Sequence, residues 1–220
     1  MQLQEIWDYS LQYCINKGLT KEEMDFYRII PNLRNVTNQA FLSELAWCIY
    51  NAGMKMEVIR KKWPALKEAF MEFDPHGVIY NSAECLKAAL DTFNHPGKAG
   101  AVIAAAFKII AGNPEREIGC KLSDMCNLEV LVYLQTYPFI GNITKYHLAK
   151  NLGFDVVKPD RHLVRLTEFL KYSSPDALVS EIKALTGERK AYIDFILWRW
   201  LSWQGKEAYE VLEKISEACI

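Results

Sequence analysis

The chain has 220 residues, half of them hydrophobic and 24% charged, with a net charge of −1. That balance excludes an intrinsically disordered chain, and the length suits one large domain or two small ones sharing a cleft. The near-zero charge excludes nucleic-acid binding through bulk basicity, so such a partner would have to be held by a local site.

No apolar run approaches the roughly 20 residues of a membrane span, so no membrane partner is expected. The first residues are polar and acidic by Asp8, with no leader or transit pattern. The six cysteines, Cys14, Cys48, Cys85, Cys120, Cys126 and Cys219, are scattered. They read as free thiols of a reducing cytoplasm. Cys120 and Cys126 lack Cys-x-x-Cys spacing, so no metal site is expected there. Trp47, Trp63, Trp198, Trp200 and Trp203 are candidates for the core.

In chain order the elements read almost entirely as helix. Leu3 to Lys17 is amphipathic and stops at Gly18. Thr20 caps a second helix, with Glu22 and Glu23 in its first turn, ending near Pro31. Thr37 or Asn38 opens an apolar helix through Asn51. Met56 to Phe73 continues, with Pro64 predicting a kink or a division into two helices. Ser82 caps a helix to Phe93, and Lys98 to Ala111 is alanine-rich. Asn113 to Leu122 reads as loop, and Ser123 caps Asp124 to Thr136. Asn142 to Asn151, Asp160 to Tyr172, Pro175 to Leu185 after Ser174, Glu188 to Trp203 and Lys206 to Ala218 complete the set. No alternating run supports a sheet.

Two segments carry chemistry. Pro138-Phe139-Ile140-Gly141 makes a short hairpin that opens a helix, where backbone amides can hold a phosphate. Asp160, in Pro159-Asp160-Arg161-His162-Leu163-Val164-Arg165, stands at the mouth of the next helix. An Asp beside a Pro before an apolar helix is an ordinary N-cap. A capping Asp can also act on substrate, since helix-terminal amides and the neighbouring Lys158 and Arg161 favour the ionised carboxylate. Around these segments Lys145, Lys150, Lys158, Arg161, Arg165 and Lys171 outnumber Asp155, Asp160 and Glu168. The tail after Gly205 leans acidic.

The stretch from Tyr137 to Leu166 resembles the signature of the helix-hairpin-helix DNA glycosylases, the superfamily of endonuclease III and its alkyl-purine and oxidised-purine relatives. Pro138, Ile140, Gly141 and Thr144 match its hairpin, and Asp160, His162, Leu163 and Arg165 match its Asp segment. Phe139 stands where most members have a first glycine, and Pro159 where most have an aliphatic residue. A looser similarity to the 3-methyladenine glycosylase I branch runs through Ala52-Gly53, Val58, Lys61-Lys62 and Phe70 to Phe73-Asp74-Pro75. Together these cover roughly residues 40 to 166.

The resemblance implies an all-α, two-lobed helical glycosylase fold with a central cleft. Residues 38–153 would form the lobe with the hairpin, and 1–37 together with 154–220 the second lobe. It implies double-stranded DNA as partner, with a nucleotide flipped into the cleft. Phe139, Ile140, Gly141, Asn142, Thr144, Lys145 and Arg161 would bind DNA, and hairpin carbonyls are a candidate site for a monovalent cation. No other cofactor is expected. Asp160 would be catalytic, stabilising positive charge on the sugar as the base departs or activating water. Tyr50 and Asn51 are candidates for a cleft or wedge position. Trp47 reads as core.

Ile143 occupies the position of the Schiff-base lysine of bifunctional members, and Lys145 faces elsewhere on the helix, so a monofunctional glycosylase is expected. Only Cys219 follows Asp160, so the iron-sulfur cluster of many endonuclease III relatives is not expected. Cys48 falls where the 3-methyladenine branch has its functional glutamate, so that branch's substrate is not inherited. A cytoplasmic monomer is expected, nucleoid-associated in a bacterium. The alternative is a non-catalytic helix-hairpin-helix module that binds DNA phosphates.

Overall fold

The computed structural model describes residues 2–112 and 116–217. Among them are fourteen α-helices, two single 3-10 turns and no strand, so the protein is all-α. The expectation for Cys219 lies outside the described residues. The other five cysteines are free thiols.

The chain divides into two compact units, one of residues 1–30 with 153–220 and the other of residues 31–152. The first unit contains α1 (Gln2–Asn16), α2 (Lys21–Arg28), α11 (Arg161–Phe169), α12 (Pro175–Thr186), α13 (Lys190–Gln204) and α14 (Glu207–Glu217). Its centre is α13, buried at every position from Ala191 to Leu197 and again at Trp200 and Leu201. Around it pack Ile6 and Trp7 of α1, Leu163 and Leu166 of α11, Leu178 and Ile182 of α12, and Leu212 of α14. Local chemistry sets the ends of these helices. Thr20 and Glu23 form a reciprocal capping box on α2. Ser174 caps α12 with Pro175 in its first turn, and Gly187 closes it in the left-handed conformation. Trp200 is fully buried, whereas Trp203 is 40% exposed and not part of the core.

The second unit contains α3 (Asn38–Asn51), α4 (Met56–Ala69), α5 (Pro75–Tyr80), α6 (Ser82–Thr92), α7 (Pro96–Gly112), α8 (Ile118–Ser123), α9 (Asn127–Leu134) and α10 (Thr144–Asn151). Its core is built on Phe41, Leu42, Leu45 and Ile49 of α3, with Leu66, Phe70, Phe73, Val102, Ala105 and Ala106. Lys98 of α7 is buried. Its Nζ donates to the carbonyls of Ile49, Tyr50 and Ala52 at 2.8, 2.8 and 2.7 Å. One ammonium thus satisfies the orphan carbonyls at the end of α3. Burial pulls the Lys98 pKa down.

Several local expectations change. α4 runs through Pro64 as a single helix. The chain instead breaks at Met71, Glu72 and Phe73, whose φ values of 50°, 54° and 62° are left-handed. Buried Phe73 holds that turn by stacking on Phe70 and Trp63, and Gln39 donates to the Glu72 carbonyl. Next comes α5, with Asp74 accepting the Gly77 amide at 2.8 Å and Pro75 in the first turn. The Asp-Pro pair was a legible start signal. α8 occupies part of the stretch expected to be loop. Ser123 caps nothing; its hydroxyl donates to the Cys120 carbonyl. α9 starts later, because Glu129 takes the Cys126 amide at 2.8 Å. Ser82 lies inside α6, with Asn81 at the cap position.

Candidate active site

Asp160 is the N-cap of α11, with extended backbone (φ −85°, ψ 172°). Its Oδ1 accepts the amides of His162 at 2.9 Å and Leu163 at 3.2 Å. Its Oδ2 lies 3.9 Å from Lys158 Nζ, and its side chain is 13% exposed. The cap fixes the rotamer and commits one oxygen. The other faces an ammonium and has acceptor capacity left for a substrate or a water. Arg161 is exposed and donates through Nε to His162 Nε2 at 3.4 Å. Burial pulls the His162 pKa below its usual value, against the opposing charge of Asp160.

The loop bearing Asp160 is fastened to α12, to α13 and to Arg189 just before α13. Arg189 donates to the Gly153 carbonyl at 2.6 Å. Asp155 accepts the Ala191 amide at 3.0 Å and Lys183 Nζ at 2.7 Å. Asp194, fully buried, accepts the Lys158 amide at 2.7 Å. Burial alone would raise the Asp155 pKa; the Lys183 and Ala191 hydrogen bonds and the charges of Lys183 and Arg189 outweigh it and hold it low. Asp194 is not among the residues singled out above. Its signal was a lone carboxylate inside the apolar run Tyr192-Ile193-Asp194-Phe195-Ile196-Leu197, which predicts a buried, hydrogen-bonded role.

The hairpin lies in the other unit, between α9 and α10. Phe139 takes φ +62°, the region that favours glycine, which most members of the resembled family carry there. The residue is 44% exposed, and its ring meets His95 edge-on at 6.0 Å between centroids. Ile140 is buried at 3% exposure, so its side chain anchors the hairpin and only its backbone can face a ligand. Gly141 is exposed and its φ lies outside the left-handed region; a Cβ built on it meets nothing within 4 Å. Neither backbone strain nor internal packing therefore requires a glycine there.

Ile143 precedes α10, makes no side-chain cap bond and is 43% exposed. Thr144 begins the helix and is half-buried. Lys145 Nζ donates to Gln135 Oε1 at 2.9 Å, and Gln135 Nε2 donates to Asn142 Oδ1 at 2.8 Å. This small network joins Asn142 and Lys145 through Gln135, a residue the sequence reading did not single out. Lys150, counted above with the basic face, is buried.

The two wedge candidates fare differently. Tyr50 is fully buried, its ring packed against Phe70 and Phe93, and burial pushes its hydroxyl pKa up. A ring enclosed in the core of its own unit cannot enter a DNA stack, so Tyr50 is a core residue. Asn51 is half-buried at the end of α3 and donates to the Trp47 carbonyl at 2.8 Å. Trp47 packs edge-on against Trp63 at 5.0 Å. Cys48 is fully buried. Among the described residues no group of three or more His, Cys, Asp or Glu is placed to hold a metal ion. No helix among them is long and apolar enough to cross a membrane.

No protein-family model matches the chain, and no curated protein matches it significantly. The structure is similar to that of an 8-oxoguanine glycosylase/lyase from Methanocaldococcus jannaschii, solved in complex with a 15mer DNA containing 8-oxoguanine. The TM-score is 0.59 at 18% sequence identity, and the match covers 90% of this chain and 97% of the other. The chain therefore has the all-α fold of a helical DNA glycosylase, matched along nearly its whole length.

Proposed function

We propose that the protein is a DNA glycosylase that hydrolyses the N-glycosidic bond of a damaged base, with Asp160 as its catalytic carboxylate. The observation that carries this reading is the fold match over 90% of the chain to a glycosylase bound to DNA with a damaged base. Two local features support it. The hairpin presents an exposed glycine that packing does not require, as close approach of a phosphate demands. Asp160 holds a carboxylate at the start of α11, with Oδ1 on the amides of His162 and Leu163 and Oδ2 3.9 Å from Lys158 Nζ.

In this mechanism the hairpin amides hold a backbone phosphate and the damaged nucleotide leaves the stack, at a cost on the order of a few kcal/mol. Asp160 then stabilises positive charge on the deoxyribose as the base leaves, or orients the attacking water. Ile143 has no amine with which to form an imine, so the reaction would stop at an abasic site. In this the chain would differ from its structural neighbour, a glycosylase/lyase by description.

The test is a panel of duplexes, each with one lesion, assayed for base release by the wild type and by Asp160→Asn. The 8-oxoguanine duplex comes first, because the neighbour was solved with that lesion. Release by the wild type and not by the variant supports the proposal. Binding without release across the panel would favour a non-catalytic hairpin module.

A further inference from the structure

We propose that Lys108 and Lys121 form a second phosphate-binding site next to the hairpin, which takes a backbone phosphate of the DNA that the hairpin holds. This inference rests on the reading of the protein as a DNA-binding glycosylase. It adds two residues outside the hairpin, on α7 and α8.

Both ammonium groups sit on aromatic rings of the segment that leads into the hairpin. Lys108 Nζ is 4.6 Å from the ring centroid of Tyr137, and Lys121 Nζ is 4.3 Å from that of Tyr133. The two rings meet edge-on at 5.7 Å and 89°, and their hydroxyls are hydrogen-bonded at 2.8 Å. Tyr137 is buried and Tyr133 half-buried, so this pair is a firm platform. Cation–π contact holds each ammonium near a defined position without neutralising it.

Lys108 also donates to the Thr136 carbonyl at 2.8 Å and the Thr136 hydroxyl at 2.6 Å. An ammonium has three donors, so one remains for a ligand. Lys121 is exposed. Of the acids near Lys121 in sequence, Glu117 accepts the Asn38 amide, Asp124 lies 3.6 Å from Arg34, and Glu129 caps α9 at Cys126. The charged neighbour acting on Lys108 is Lys121 itself, which adds to burial in lowering the Lys108 pKa. Two like charges held together cost free energy in the unbound protein, and an anion between them relieves it.

The position selects the class of anion. Lys108 touches Thr136, and Lys145 touches Gln135. The three lysines thus flank the last residues before Pro138, and the exposed residues Gly141, Asn142 and Ile143 follow. A phosphodiester track along this edge meets amides at the hairpin and ammonium groups beside it. Helix capping accounts for Lys108 alone, because Lys121 holds a ring rather than a carbonyl.

The experiment measures duplex affinity against salt concentration for the wild type, Lys121→Gln, Lys108→Gln and the double variant, with thermal unfolding in parallel. Each lost phosphate contact should make the slope of log K against log[salt] shallower by about 0.9. The loss should be the same for lesion-bearing and undamaged duplexes, because the contact is to phosphate. Lys108→Gln also removes a contact to Thr136, so Lys121→Gln, which leaves that contact in place, decides the matter if Lys108→Gln unfolds. An unchanged slope in a folded Lys121→Gln would overturn the inference while leaving the glycosylase reading intact, provided Gly141→Val still weakens binding. A wild type with no salt-dependent affinity for duplex would overturn both.

Discussion

The ring of Phe139 rests where Gly97 has no side chain: a Cβ built on Gly97 would lie 3.1 Å from Phe139 Cζ. Phe139 holds a left-handed φ of 62°, which costs about 1–2 kcal/mol in a residue with a Cβ. The contact with Gly97 and His95 offsets part of that cost and fixes the hairpin. Gly97→Ala should therefore stabilise less than alanine normally does in a helix. In a Phe139→Gly background the same change should stabilise more. A double-mutant cycle by urea unfolding should give a coupling of about 1 kcal/mol, and additive effects would refute the contact.

Asp160→Asn should leave the fold intact, because Asn caps a helix nearly as well as Asp. Base release should fall by several orders of magnitude, each tenfold being about 1.4 kcal/mol of barrier. Asp160→Ala should lose the activity and also about 1 kcal/mol of stability, since the amides of His162 and Leu163 lose their acceptor. Unchanged single-turnover release in Asp160→Asn would remove the residue from the mechanism.

Gly141→Val should alter stability little, because its Cβ meets nothing within 4 Å. It should weaken binding to all duplexes alike, because the lost contact is to phosphate. If affinity falls for one lesion only, the hairpin lines a base pocket instead of clamping the backbone.

With isoleucine at position 143, the product should be an intact strand with an abasic site, cleaved only after added alkali. Borohydride should trap no protein–DNA adduct. Trapping that disappears in Lys145→Ala would show that the lysine now hydrogen-bonded to Gln135 turns to the sugar.

Gly119→Ala tests the framework of the hairpin unit. A Cβ there would lie 2.4 Å from the Leu33 carbonyl oxygen, 2.6 Å from that of Val36 and 2.9 Å from that of Arg34. These are backbone atoms and cannot turn aside, so α8 must separate from the Leu33–Asn35 turn. The cost should be about 3 kcal/mol or more by urea unfolding. A variant as stable as the wild type would mean that the two segments are not in contact.

Features that depend on neighbours along the chain were legible in the amino-acid order. Thr20 with Glu23, Ser174 with Pro175, and Gly187 set helix ends because capping is satisfied within one turn. The resemblance of Tyr137 to Leu166 to the glycosylase signature marked the hairpin and the carboxylate, and Asp160 folds as the N-cap its local pattern implied. Tertiary structure decided the rest. The left-handed turn at Met71–Phe73 depends on the rings of Trp63 and Phe70 and a glutamine from α3. Lys98 became a helix cap because α7 passes the end of α3. Tyr50 was drawn into the core by Phe70 and Phe93. Gly119 and the Lys108–Lys121 pair took their meaning from segments far away in sequence. Local propensity is written in a few adjacent residues. Close approach of distant backbone is fixed only when apolar faces are buried together, and that packing also set which side chains of the candidate site remain exposed to a ligand.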